Sequence, residues 1–279
     1  MATQESDSKP LIISLIVVVV LAAGGWFGWQ AFGDRLKARD QLRRGIMAYK
    51  AAAFTSAIEH FKSAVQLDPN LGVARLYLAT AYANQFIPGA TSDENLKVGE
   101  QAIDEFKKVL ADDPKSVNSV AGIASLYFNM KRLDDAKTWY EKQIALDPNN
   151  PEAYYSVGVI DWGKAYPARM EARSNAHMDP QGPQPFSDKK AQSALCTVNL
   201  PIIDDAFKNL NQAVKLRPDY DDAMAYINLM YREKADCETD LKAREEDLKT
   251  ADNWVDKITE VRKKRAEEQS KGGGGIVAQ

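Results

Sequence analysis

Two histidines and two cysteines occur in 279 residues, so metal or thiol chemistry rests on His60, His177, Cys196 and Cys237 alone. His60 follows Glu59 in a helical pattern with no second histidine at ligand spacing, and His177 lies in a proline-rich stretch. Exposed or capping roles are expected of both. Gly158, Gly163 and Lys164 imitate the opening of a phosphate-binding loop, but Ala165 stands where a Ser or Thr is required and no strand precedes it. No Ser, His and Asp set can be assigned, and no Cys can be placed beside a His. The expectation is therefore no catalytic residue, no cofactor and no metal: the chain is not an enzyme. With 36 Lys and Arg against 39 Asp and Glu, net charge −3, it lacks the basic excess of a nucleic-acid binder.

What remains is binding, and the elements that would position a binding surface. Residues 11–32 form a run of 22 residues without a charge, about 33 Å long as a helix, comparable to the roughly 30 Å core of a bilayer. Trp26, Trp29 and Phe32 gather at its far end, where amphipathic rings favour the headgroup level. The segment is read as one retained transmembrane helix. The alternatives are burial as a core helix and cleavage after Ala22 or Ala23, which the weak amino-terminal charge (Lys9 against Glu5 and Asp7) and the apolar sequence beyond both disfavour. Gly24 and Gly28 form a GxxxG pair suited to weak self-association of spans. Residues 1–10 are then an amino-terminal tail and 33–37 a juxtamembrane segment.

Beyond it one phrase recurs: AIEHFKSAVQLDP, AIDEFKKVLADDP, AKTWYEKQIALDP and AFKNLNQAVKLRP. Each is an amphipathic helix halted by proline. Ala57, Phe61 and Pro69 share their spacing with Ala102, Phe106 and Pro114, with Ala136, Tyr140 and Pro148, and with Ala206, Leu210 and Pro218. This pattern resembles the tetratricopeptide repeat, a helix-turn-helix unit of 34 residues. The third copy fits best, through Val120, Ile123, Ala124, Tyr127, Ala136, Tyr140 and Pro148.

The resemblance implies an all-α solenoid of about five helix pairs over 38–271, following the transmembrane helix, with a flexible Gly-rich tail at 272–279. Small residues belong where paired helices cross: Gly45, Ala79, Ala124 and Gly158 answer Ala57, Ala102, Ala136 and Ala206, with Tyr82, Tyr127 and Tyr231 beside the crossings. Insertions fall at about 86–98, where Thr91 and Glu94 would form a capping box, and at about 166–199. The second, with four prolines, is read as an elaborated loop holding a short helix. A charged capping helix is expected over about 239–269, its apolar stripe made by Leu241, Leu248, Ala251, Val255, Ile258 and Val261.

In this register the first helices of each pair line a groove for a protein or peptide partner through Leu76, Tyr77, Asn84, Asn118, Phe128, Asn129, Tyr155, Trp162 and Tyr226. Some of these aromatics would instead pack within and between repeats. The family's carboxylate clamp is not carried over, because Leu42, Leu76, Ala121 and Tyr155 stand where its Lys would be. Cys196 and Cys237 fall on turns along one edge of stacked repeats, leaving either a disulfide or two separate thiols.

The leading functional expectation is a membrane-tethered scaffold or adaptor that binds a protein partner. The alternatives are a permanent accessory subunit of a larger membrane complex and an enzyme with a site in 166–199. Arg35, Lys37, Arg39, Arg43 and Arg44 would place the repeats in the cytoplasm by charge. Resemblance to bacterial inner-membrane proteins with periplasmic repeats, together with the cysteine pair, favours the extracytoplasmic side.

Overall fold

The computed structural model describes the backbone of residues 9–272 and the side chains of 29, 30 and 32–270. Ten helices follow in order: α1 Lys9–Lys50, α2 Phe54–Leu67, α3 Gly72–Gln85, α4 Asp93–Asp112, α5 Val117–Asn129, α6 Leu133–Leu146, α7 Pro151–Asn175, α8 Lys189–Leu216, α9 Asp221–Ala235 and α10 Leu241–Gly272. No strand occurs among the described residues. The chain divides within α5 into two compact units, one ending at Gly122 and the other starting at Ile123.

The recurring Asp-Pro and Arg-Pro stops have a common physical basis. A proline's ring disfavours helical backbone in the residue before it. Asp68, Asp113, Asp147 and Arg217, which end α2, α4, α6 and α8, all turn to extended backbone with φ between −141° and −130°. The three aspartates each accept a hydrogen bond from the backbone N–H two residues on, at Asn70, Lys115 and Asn149, which fixes the turn.

In the first unit α1 packs on α2, α2 on α3 and α3 on α4. Ala57, Ala79 and Ala102 are fully buried, and a β-carbon added to Gly45 would run into the Phe61 ring. Gly122 bears the same relation to Phe106, a contact between successive pairs that the repeat register did not single out. The insertion after α3 is a short loop, 86–92, closed by buried Asn95, whose amide exchanges hydrogen bonds with both backbone groups of Ile87. The cap of α4 is Ser92 rather than Thr91, because it is the Ser92 oxygen that accepts from the Asn95 N–H. Residues 33–37, read as a juxtamembrane segment, continue α1 and carry the Asp34 to Lys37 ion pair. Among the described residues no helix is long and apolar enough to cross a membrane. The side chains of 11–28, including Trp26, Gly24 and Gly28, lie outside the described residues, as does the tail beyond Gly272.

In the second unit α7 packs on α8, α8 on α9, and α9 on α10. Ala124, Ala136 and Ala206 are fully buried, and Gly158 faces Leu210. The reading of 166–199 as an elaborated loop is corrected. Helix α7 continues through Pro167 to Asn175, α8 begins at Lys189, and 176–188 alone is irregular. An internal proline costs a helix about 3 kcal/mol, but the extra turns bury Ala165, Leu195, Cys196 and Ile203. Buried Asn199 also donates to the Ala165 carbonyl across the two helices. Packing therefore outweighs proline's local preference. The stripe of α10 is also corrected: Ala251 and Ile258 are buried, whereas Leu241 and Val255 are 63% and 45% exposed. On α10 the face toward α9 is buried, and there Asn228 donates to the Ala251 carbonyl at 2.6 Å.

Candidate functional site

The nine groove residues fall into both units. In the first, Tyr77 stacks on Phe61 at 5.4 Å between ring centres and meets Tyr49 edge-on, so it serves packing while staying half-buried. Asn84 is exposed but donates to the Tyr49 hydroxyl and the Thr80 carbonyl. Leu76 is half-buried and Asn118 exposed.

In the second unit α7 and α9 lie side by side and present a series of rings. Tyr155 lies 5.0 Å from Tyr220 and 5.7 Å from Tyr226, Trp162 lies 5.5 Å from Tyr226, and Tyr166 stacks on Trp162 at 4.9 Å. Tyr155, Trp162 and Tyr166 recur at near-integral helical turns and so share one face of α7. All but Tyr220 keep part of the ring in solvent. Burial pushes the Tyr155 phenol up to about 12 and raises Tyr226 too, so both stay neutral at physiological pH. At one end Arg217 lies over the Tyr220 ring and pairs with Glu152, which also accepts from the Tyr220 hydroxyl. Phe128 lies beneath Lys131, and Asn129 reaches only Ser125. Such a face offers apolar contact and neutral phenol donors, suited to an extended or helical peptide.

Two features escaped the reading of the sequence. Asp161, between Ile160 and Trp162, is fully buried and takes an ammonium bond from Lys137 at 2.6 Å; Lys137 also pairs with Asp205 at 2.8 Å. Burial outweighs that lysine and lifts the Asp161 carboxyl to about 6. The second feature is a knot at the arm made by α7 and α8. Arg173, fully buried, donates to the carbonyls of Asp179, Gly182 and Gln184 and to the Asp236 carboxylate. Gln192 of α8 donates to the carbonyls of Asp236 and Glu238, satisfying the end of α9. Beside it Cys196 and Cys237 form a disulfide, their Cα atoms 5.4 Å apart. A lone charged position inside an otherwise apolar helical face was the available signal for Asp161. For Arg173 there was none, because three of its acceptors are backbone carbonyls placed by the folded 176–188 turn and the fourth, Asp236, is 63 residues away.

His60 meets the Gln41 side chain at 2.8 Å, and His177 takes left-handed backbone (φ 57°) just past the end of α7. Gly158, Gly163 and Lys164 lie inside α7, where Lys164 pairs with Asp134. Among the described residues no group of three or more His, Cys, Asp or Glu is placed to hold a metal.

A family model described as tetratricopeptide repeat matches residues 99–157. Hsp70-Hsp90 organizing protein of Triticum aestivum is 23% identical over 216 residues, which is 76% of this chain and 34% of that protein. Small glutamine-rich tetratricopeptide repeat-containing protein 2 of Mycosarcoma maydis is 26% identical over 117 residues, 42% of this chain and 30% of that one. The chain thus spans about a third of the length of these relatives. Among solved structures, the crystal structure of MamA protein shares the fold with TM-score 0.57 at 17% identity, covering 87% of this chain and 97% of that one. MamA 41-end from Desulfovibrio magneticus RS-1 gives 0.54 at 16%, with 82% and 96% covered. Residues 99–157 thus match the tetratricopeptide repeat, and the chain shares the all-α fold of these solved structures.

Proposed function

We propose that this protein is a membrane-tethered scaffold that recruits a protein partner through the aromatic face of α7 and α9. The observation that carries the reading is the half-buried ring series of Tyr155, Tyr226, Trp162 and Tyr166. Rings of this kind supply much of the energy of peptide and protein interfaces at small cost in side-chain entropy. The name of the wheat relative, an organizing protein for Hsp70 and Hsp90, supports a scaffold role. No catalytic residue is assigned.

The tether in this reading is the uncharged run 11–32, which lies within the same helix α1 as residues 33–50. A partner held by a tethered protein gains effective concentration, so a modest affinity of the aromatic face suffices. We place the repeats on the extracytoplasmic side of a bacterial inner membrane, because a disulfide persists in an oxidising compartment. A reporter fused after Gln279 that is active only in the cytoplasm overturns this placement.

Crosslinking in intact cells, followed by purification of the full chain in mild detergent, tests the scaffold. Trp162→Ala and Tyr226→Ala are each expected to deplete the crosslinked partner several-fold while the protein remains in the membrane. A stoichiometric, salt-resistant assembly untouched by both substitutions would instead identify a permanent accessory subunit.

A further inference from the structure

A second site lies in the second unit, where the turn 176–188 meets α9 and α10; it borders the Tyr166 end of the aromatic face, Arg169 lying over the Tyr166 ring and Gln181 donating to its hydroxyl. A cavity of about 260 Å³ is walled there by Arg169 of α7, Arg232 of α9 and Arg244 of α10, with the backbone at Gly182 and Pro183 and the Asp236 carboxylate. That is just below the roughly 300 Å³ at which drug-sized pockets begin, so it suits a small ligand. The two carboxylates on its wall are already engaged. Asp236 is held by Arg169 at 3.2 Å and Arg173 at 2.9 Å, and Asp252 by Arg232 at 2.7 Å.

Arg244 is the group without an equivalent partner. It is 9% exposed, its nearest carboxylate oxygen is 3.8 Å away on Asp236, its Nη2 donates to the Pro183 carbonyl, and its Nε is buried without an acceptor. A buried guanidinium with an orphaned N–H is costly unless an anion completes it. Glu233 pairs with Arg169 at 3.0 Å but does not line the cavity, and burial raises its carboxyl to about 7, leaving it only partly ionised at neutral pH.

We propose that this cavity binds a tetrahedral oxyanion of the phosphate class. Three guanidiniums arrive from three helices, each a planar fork of five N–H donors of which the partners Glu233, Asp236, Asn228, Asp252 and Pro183 occupy only some. A carboxylate has two oxygens in one plane and satisfies one fork, whereas four tetrahedral oxygens can be shared among several. An anion held there would join α7, α9, α10 and the 176–188 turn, bracing α7 beside Tyr166.

The test uses the purified full chain in an uncharged detergent and phosphate-free buffer, with ionic strength held constant by chloride. Inorganic phosphate is titrated while the thermal midpoint and the ³¹P linewidth are followed. Saturable stabilisation and line broadening are expected, with sulfate competing. Arg232→Gln removes a half-exposed guanidinium whose surface ion pair contributes little to stability, and is expected to weaken phosphate about fivefold or more. Arg244→Lys keeps the charge but loses the fork, and should weaken it similarly. Glycerol phosphate in a parallel titration separates the sources: binding stronger than inorganic phosphate supports a phosphate monoester, and weaker binding supports the free ion. A response to acetate equal to that to phosphate overturns the proposal, as does no response beyond chloride, or an unchanged response in both variants.

Discussion

Gly158 of α7 lies so close to Leu210 of α8 that any β-carbon on it would overlap the leucine side chain. Gly163, five residues along the same helix, faces Leu133 at an ordinary 3.6 Å from where its β-carbon would be. Replacing a helical glycine by alanine normally gains up to about 1 kcal/mol. The two positions should therefore respond with opposite sign. Gly163→Ala is expected to stabilise by roughly 0.5–1 kcal/mol, whereas Gly158→Ala loses and Gly158→Leu costs about 1–3 kcal/mol by overpacking. Urea unfolding of the parent and the three variants measures this; a stabilised Gly158→Ala would refute the crossing.

The Cys196 to Cys237 bond closes a loop with a sequence separation of 41. A loop of this length restricts the unfolded chain by on the order of 2–4 kcal/mol. Cys196→Ser with Cys237→Ser should lower the melting temperature accordingly, and dithiothreitol should then have no further effect. Identical gel mobility with and without reductant, with two thiols titrated in denaturant, is the result that contradicts the bond.

Glu233 sets a pH dependence whose sign follows from burial. Loss of hydration raises its carboxyl from 4.5 to about 7, Arg169 pulling only partly the other way. The folded state thus holds a proton that the unfolded chain has released, and stability falls as pH rises between those two values. Asp161, lifted from 3.8 to about 6, adds to the same slope at lower pH. Glu233→Gln is expected to gain about 1–3 kcal/mol on the parent between about pH 5 and pH 8. Parallel stability curves for parent and variant across that interval would show that Glu233 stays ionised.

The proposed anchor is tested at its centre. Two arginines in the middle of a spanning helix cost roughly 2.5–3.5 kcal/mol each, so Val18→Arg with Val19→Arg should move the protein from the carbonate-resistant membrane fraction to the supernatant. A parent protein that alkaline carbonate already extracts would exclude a retained span.

The positions of the repeat helices were legible in the residues themselves, because proline stops and amphipathic spacing act over a few neighbours. Ala57, Ala102, Ala136 and Ala206 had to be small wherever paired helices cross, and each is fully buried. The uncharged run 11–32 was equally plain, though its side chains before Trp29 lie outside the described residues. Folding in three dimensions decided the rest. Pro167 and Pro201 argue locally for a break, yet both stay inside helices because α7 and α8 bury each other's extra turns. The Asp236 partner of Arg173 and the Pro183 acceptor of Arg244 lie 63 and 61 residues away in sequence and reach them only in the folded chain. Periodicity reports which face of a helix is apolar, whereas the partner of a buried charge depends on which distant segment the chain brings to it.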